Sequence, residues 1–396
     1  MAASGRKETD IERINMKMKT RSLVELNVPN RRHNQSSALE TSRVSTTAQG
    51  IGNGRKLGRR SFVKGLALGA ASFLPVGAAL ANPSGRRHEL GPITESDAAI
   101  LRFLAAAEIL ETDLWQQYTE FADVDSPYAD ALEVIDDDMP TYIDQNTADE
   151  FSHESFLNAF LVKTHHRPVN LEAFRTLPSS PVAPVQTGRL TNLMHLNVDT
   201  SWYLRYRSSG NPDFGDVFGQ AVNIVNRPAI PVQNQALYTP SQVQGIANTA
   251  AFHFAMIEQG GSSLYDALSL GCSSLLALRI VTSIGGTEVA HFEIWNDKAG
   301  DAPPVDSGDG LVFPDLNSNP ATTTSLVMPR PCKFISADLP LCSIIRPTSS
   351  PLAGATAAAQ FLTDTGLFAG QSDAFFRALF NLAAAADDAV RHGRAD

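Results

Sequence analysis

From Asp97 to Phe121 the chain is rich in Ala and Leu and contains neither Gly nor Pro. Leu101, Leu104, Glu108, Glu111, Trp115 and Tyr118 recur there at alternating spacings of three and four, so they share one face of a helix. Thr94-Glu95-Ser96-Asp97 supplies N-cap candidates for its start. A second run of the same period begins at Met139 or Thr141 and reaches Lys163, with Ile143, Asn146, Glu150, His153, Leu157 and Phe160 inward. It ends before Arg167-Pro168, because a residue preceding proline is biased out of the helical region. A third helix is predicted from Thr239-Pro240-Ser241 to about Leu270, with Ala247, Ala251, Phe254, Glu258, Gly261, Tyr265 and Leu268 inward. A fourth is predicted from about Ser274 to Asp297, with Ala277, Val281, Ile284, Glu288, His291 and Trp295 inward. Gly271-Cys272-Ser273 between them is a turn short enough for antiparallel neighbours.

The pattern weakens between these runs. Residues 168–240 are rich in Pro, Asn, Ser and Gly, with aromatic islands such as Trp202-Tyr203-Leu204-Arg205-Tyr206. A structureless loop of that length is uncommon inside a compact domain, so a crossover with short elements of its own is expected, wrapping the helices or covering the mouth of a site. Beyond Asp297 a Pro-, Gly- and Asp-rich segment leads to Pro351, and Ala355 to Arg391 reads as one or two helices. The expected fold class is all-α. Residues 82–300 form the main domain, and residues 301–396 a loop-rich segment with C-terminal helices packed on it.

The N-terminal part has a different character. Residues 1–58 are polar and basic and read as disordered. Arg59-Arg60-Ser61-Phe62-Val63-Lys64 is a twin-arginine string; an apolar run from Gly65 to Leu80 follows, and Ala79-Leu80-Ala81 is a cleavage site. Residues 59–81 are therefore expected to be an export signal, giving a periplasmic or extracellular protein that starts at Asn82. The alternative is a retained membrane anchor, against which the run is short, weakly apolar and interrupted by Pro75.

Charge then narrows the partners. The first 81 residues hold 14 Lys and Arg and 5 Asp and Glu, out of 32 and 42 in the chain, so the remainder carries 18 and 37, a formal charge of −19. Such a surface repels phosphate backbones, which excludes nucleic acid as an expected partner. Part of this acidity, including Asp136-Asp137-Asp138, lies between Glu120 and Glu150, where it reads as a solvated helix entry or as a path that concentrates cations. Cys272 reads as a small buried residue, and Cys332 and Cys342 are candidates for a short-loop disulfide.

The chemistry lies in two strings, Glu150-Phe151-Ser152-His153 and Glu288-Val289-Ala290-His291, each Glu-x-x-His on the apolar face of a predicted helix. Three residues are nearly one turn, so each Glu and His share a face. Glu108 and Glu258 stand on the inward faces of the other two helices. Carboxylates suit Fe and Mn, and a neutral imidazole adds a nitrogen donor. Four carboxylates balance two divalent ions, whereas without metal their burial and repulsion would cost several kcal/mol each unless protonated.

Two Glu and two Glu-x-x-His from four helices, in this order, resemble the ferritin-like di-iron and di-manganese carboxylate proteins. The strings that carry the likeness are Ala107-Glu108-Ile109-Leu110-Glu111 with Trp115 and Tyr118, Asp149-Glu150-Phe151-Ser152-His153, Ile257-Glu258 and Thr287-Glu288-Val289-Ala290-His291, spanning about Asp97 to Asp297. The resemblance extends to twin-arginine-exported bacterial members. It implies a ferritin-like four-helix bundle with a long second-to-third crossover and two Fe or Mn ions held by Glu108, Glu150, His153, Glu258, Glu288 and His291. From such a centre, rather than from the resemblance, reaction with O2 or peroxide in an oxidase, peroxidase or catalase-like manner is expected. The chain lacks the Cys pairs of a rubredoxin module and is far longer than a cage-forming ferritin subunit.

Several assignments stay open. Glu111, one turn after Glu108, competes with it as a ligand or supports it. Tyr265 reads first as packing, and otherwise as a donor to a ligand or a redox-active residue. His253, off the inward register, reads as core or surface. Gly260-Gly261 and Gly285-Gly286 beside the ligands suggest close helix approach, room for a small oxidant, or a π-bulge. A non-catalytic module for stress protection or surface association is the alternative function, and metal sequestration a third; a homo-oligomer is compatible with each.

Overall fold

The computed structural model describes residues 92–207, 214, 218–320, 322–324, 329–344 and 353–391. The basic region 1–58 and the twin-arginine segment 59–81 lie outside the described residues. The described chain is mostly helical, with α1 Glu95–Ala122, α2 Pro127–Ile135, α3 Met139–Lys163, α4 Trp202–Arg207, α5 Pro240–Ser269, α6 Leu275–Asp301, α7 Gly354–Asp364 and α8 Asp373–Asp387. Two small antiparallel sheets pair β1 Leu196–Val198 with β2 Ile224–Arg227, and β3 Val305–Asp306 with β4 Val312–Phe313.

Local chemistry starts the long helices where they start. Thr94 caps α1 in a reciprocal box: its hydroxyl accepts from Asp97 N at 3.0 Å, and Asp97 Oδ2 accepts from Thr94 N at 3.2 Å. The same buried Asp97 accepts from Ser273 N at 2.7 Å and Ser274 N at 3.1 Å, tying the start of α1 to the turn between α5 and α6. Thr239 and Gln242 form a second capping box at α5, with Pro240 in the first turn, where a missing N–H costs nothing. Ser126 caps α2 above Pro127. This helix is absent from the periodic reading because it has only nine residues; it still buries Tyr128, Leu132 and Ile135 against α5.

The long helices pack in pairs, α1 on α3 and α5 on α6, and α8 lies on α1 with α7 on α5. Where all four long helices meet, Trp115 of α1 and Trp295 of α6 stack with ring centroids 5.4 Å apart, and Phe254 of α5 is 4.8 Å from each. Aromatic pairs of this kind are worth about 0.5–1.5 kcal/mol each beyond area burial. Tyr118 packs edge-on to Phe254, and its hydroxyl meets His253 Nδ1 at 2.5 Å, so His253 is a buried core residue.

The crossover is held down by one buried carboxylate. Asp113 on α1 accepts from Leu190 N at 3.0 Å, Thr191 N at 2.9 Å, Thr191 Oγ1 at 2.7 Å and Arg175 Nη1 at 2.5 Å. Its short strands β1 and β2 pair with each other. Farther on, Cys332 and Cys342 face each other across an isolated bridge, each N–H donating to the other's carbonyl at 3.0 Å. Cys272 is buried, with its thiol near the Leu268 carbonyl. No helix among the described residues is long and apolar enough to cross a membrane.

Removing Asp113 strands the backbone N–H groups of Leu190 and Thr191 and the Thr191 hydroxyl, while Arg175 keeps Glu172. Asp113→Ala is expected to destabilise the protein by about 2–4 kcal/mol, the cost of leaving two or three buried donors without an acceptor. Urea unfolding measures the loss, and limited proteolysis should show earlier cleavage between residues 171 and 200; unchanged stability would remove Asp113 as the anchor.

Candidate metal centre

The four long helices bring Glu108, Glu150, His153, Glu258, Glu288 and His291 together in the interior. The four glutamates are at most 1 % exposed, His153 9 % and His291 7 %. One set of ligand atoms, from Glu108, Glu150, His153 and Glu288, lies within 4.8 Å of one another. So does a second set, from Glu150, Glu258 and His291, and a third, from Glu111, Glu258 and Glu288. Glu150 belongs to both of the first two sets, so its carboxylate stands between the two imidazoles. This buried group of carboxylates and imidazoles can hold metal.

Each histidine turns Nδ1 toward the carboxylates. His153 Nδ1 is 3.0 Å from Glu150 Oε2 and 3.5 Å from both Glu108 Oε2 and Glu288 Oε1. One ring nitrogen offers one proton or one lone pair and cannot satisfy three carboxylates. His291 Nδ1 is 3.0 Å from Glu150 Oε1 and 3.4 Å from Glu258 Oε2. Its other nitrogen, Nε2, is 3.1 Å from Asp149 Oδ2. With Asp149 accepting from Nε2–H, Nδ1 is left facing the cluster; it holds a proton in the metal-free protein and would offer its lone pair to a metal, the way a second partner orients a metal-ligating imidazole. Both oxygens of Glu288, Glu108 Oε2 and Glu258 Oε2 are buried and accept no hydrogen bond among the described residues.

Three further side chains hold the cluster in shape. Asn146, one turn before Glu150, donates through Nδ2 to Glu150 Oε1 at 2.7 Å and to Glu258 Oε1 at 3.0 Å, joining α3 to α5. Its own oxygen accepts from Trp295 Nε1 at 2.9 Å, which fixes the amide orientation. Tyr265 donates its hydroxyl to Glu108 Oε1, the donor role that the sequence held as the alternative to packing. Trp115 Nε1 donates to Glu111 Oε1 at 3.4 Å. Sequence reasoning placed Asn146 on the inward face without a role and gave Asp149 none. The available signals were an amide on an apolar register and an acid beside a ligand. Asp136, by contrast, pairs with Lys298 at 2.5 Å.

The glycines divide into two kinds. A Cβ on Gly261 would stand 2.4 Å from Glu288 Oε2, and one on Gly285 would stand 2.7 Å from Tyr265 Cβ. Those two permit close approach of α5 and α6. Gly286 faces open space, and a Cβ on Gly260 would meet only Phe214, at an ordinary 3.5 Å. Both helices run through these positions as regular α-helix, so the π-bulge expectation is not met.

Burial and mutual repulsion govern the protons. Burial, opposed by His153 and His291 and reinforced by Glu258 and Glu108, pushes Glu150 up to about 7. Burial raises Glu288 well above the ordinary range, and Glu150 and Glu108 add to it; Glu111 is raised in the same way by burial, Glu150 and Glu258. Burial opposes a charge on His153, but Glu108 and Glu150 override it and raise the ring to about 10. His291 is raised too, against burial, by Glu258, Asp149 and Glu150.

These shifts set the pH dependence of the metal-free protein. Glu150 and His153 keep protons in the fold to higher pH than in the unfolded chain, so stability falls as pH rises. The Glu150 contribution is complete below 4.5 and lost by about 7; that of His153 is complete below 6.5 and lost as pH passes about 10. His253 acts oppositely: burial lowers it to about 3, so its contribution is present above 6.5 and lost as pH falls toward 3. The metal-free melting temperature is therefore expected to fall steadily from pH 6.5 to 10, with a shallower slope in His153→Gln, whereas the direct effect of Glu150→Gln is confined to pH below about 7. A level profile over that range would contradict this account.

Comparison with known proteins adds no relative: no protein-family model, curated protein or solved structure matches the chain.

Proposed function

We propose that the chain is a ferritin-like four-helix bundle protein whose Glu108, Glu150, His153, Glu258, Glu288 and His291 hold two Fe or Mn ions, and that it reacts with dioxygen or peroxide. The observation that carries this reading is the pair of Nδ1 atoms aimed at carboxylate oxygens that receive no hydrogen bond among the described residues. Lone pairs and negative charges facing one another out of water repel unless a proton or cation lies between them. The donor set of carboxylates with two imidazoles suits Fe or Mn, with Glu150 placed to serve both ions. Bound there, either metal would supply the electron changes needed to reduce an oxygen species.

The protein's own groups have definable parts in this reading. Asn146 keeps Glu150 and Glu258 at fixed separation before metal arrives. Asp149 selects the His291 tautomer that presents Nδ1. Tyr265 holds one oxygen of Glu108 and leaves the other to the cluster. Trp115, Trp295 and Phe254 keep bulk water away from one side. Export through the twin-arginine signal at 59–81 belongs to the same proposal and rests on the sequence.

The direct test is metal analysis of reconstituted protein beside Glu150→Ala and Glu288→Ala. About two Fe or Mn ions per chain are expected in the parent, lost in both variants, followed by turnover of dioxygen or peroxide. A parent that takes up no stoichiometric metal would end the proposal. Uptake far beyond two ions would favour sequestration.

Gly261→Ala provides a finer test, since its methyl would displace the Glu288 carboxylate. Metal affinity is expected to drop about 10- to 100-fold, the range for perturbing a ligand's immediate support. Gly286→Ala should bind metal as the parent does and gain up to about 1 kcal/mol of helix stability. Equal affinities in the two variants would show that Glu288 does not need the space at Gly261.

A further inference from the structure

A partly open pocket of about 60 Å³ lies between α1, α5 and the C-terminal helices α7 and α8. Seventeen of its eighteen lining residues are apolar or glycine, and Glu111 is the sole titratable one. Its roof includes Ala358, Phe361 and Leu379. Its floor reaches the carboxylate cluster at two points. Glu111 lines the cavity and also offers an oxygen within 4.8 Å of ligand atoms of Glu258 and Glu288. Gly261 lines it too, and lacks only the methyl that would touch Glu288 Oε2. The cavity and the cluster therefore share a wall one backbone thick.

Lining and size select the occupant. Hydrogen peroxide brings two donors and four lone pairs and would give up its hydration for one carboxyl group, a poor exchange in an apolar site. A small apolar molecule loses nothing comparable. An engineered apolar cavity of about 150 Å³ stays dry and takes benzene or xenon, so a space of about 60 Å³ suits a diatomic gas or a single xenon atom better than an aromatic ring.

Resting on the metal-centre reading above, we infer that this cavity is the dioxygen-binding pocket of the centre, so that the oxidant it serves is dioxygen and not hydrogen peroxide. The C-terminal helices then belong to the functional unit, because Ala358, Phe361 and Leu379 supply one apolar wall of the pocket.

Xenon is the probe, and its binding is read on metal-free protein, by xenon-derivatised crystals or by xenon NMR. One xenon is expected between α5 and α7 in the parent. Gly260→Ala adds a methyl at a position with ordinary clearance and should weaken xenon binding, and Gly260→Val should abolish it; Gly286→Ala, outside the cavity, should leave it unchanged. Melting temperatures establish that each variant is folded. In the reduced, metal-loaded protein, Gly260→Val should slow oxidation by dioxygen about tenfold and leave oxidation by hydrogen peroxide within about twofold. Absence of xenon from the parent cavity would overturn the inference. So would equal slowing of both oxidants, or no slowing of either, in folded Gly260→Val with full metal content. Failure to load metal would instead overturn the metal-centre reading, while the xenon result would still decide whether the pocket accepts an apolar gas.

Discussion

Four carboxylates withdrawn from water into one interior govern this molecule. A single buried carboxylate without a partner is costly, and neighbours of like charge add to the cost. Glu108, Glu150, Glu258 and Glu288 nevertheless stand on four different helices with almost no exposure, so helix packing has to hold them there against their own repulsion. That opposition explains the stacked Trp115 and Trp295, the capping boxes at α1 and α5, and Asp97 binding the start of α1 to the α5–α6 turn.

Polar groups around the cluster reduce the conflict without removing it. Asn146 spends both amide hydrogens on two glutamates, Tyr265 gives its only hydroxyl hydrogen to a third, and Glu288 receives none. An interior built only for stability would do better with apolar residues of the same volume. A set of donors that stops short of neutralising the carboxylates makes sense when a cation completes it.

Much of this was legible in the sequence, for physical reasons. The long helices were readable because a 3-4 period sustained over six or seven turns has no strand alternative and because Thr94, Thr239 and Ser274 mark starts. Helix α2 was not, since nine residues between Asp-rich flanks give too little period. Pairing of β1 with β2 joins strands of three and four residues across a long excursion, which no local pattern encodes. At the centre, Glu150 with His153 and Glu288 with His291 stood out because charged pairs on apolar faces are anomalous. Glu108 and Glu111 were hard to separate because they lie one turn apart; the structure brings both near Glu288, in different sets. Spacing could not tell whether Tyr265 packs or donates, since both roles occupy the same register. The cavity left no trace, because its walls come from segments as distant as Phe103 and Leu379.

The position of that roof in the chain has a consequence for biosynthesis. Helix α8 lies on α1, the first of the long helices to be made, and α7 lies on α5. Residues 354–387 follow all four long helices in the chain, so the flank of α1 and α5 stays uncovered until they have been made. Contacts that span most of a chain form late and slowly, because the intervening loop must close first. The nascent protein thus passes through a stage in which its four ligand helices exist and one wall beside them is still missing. During that interval the apolar flank that the last two helices cover is open to water and to other chains.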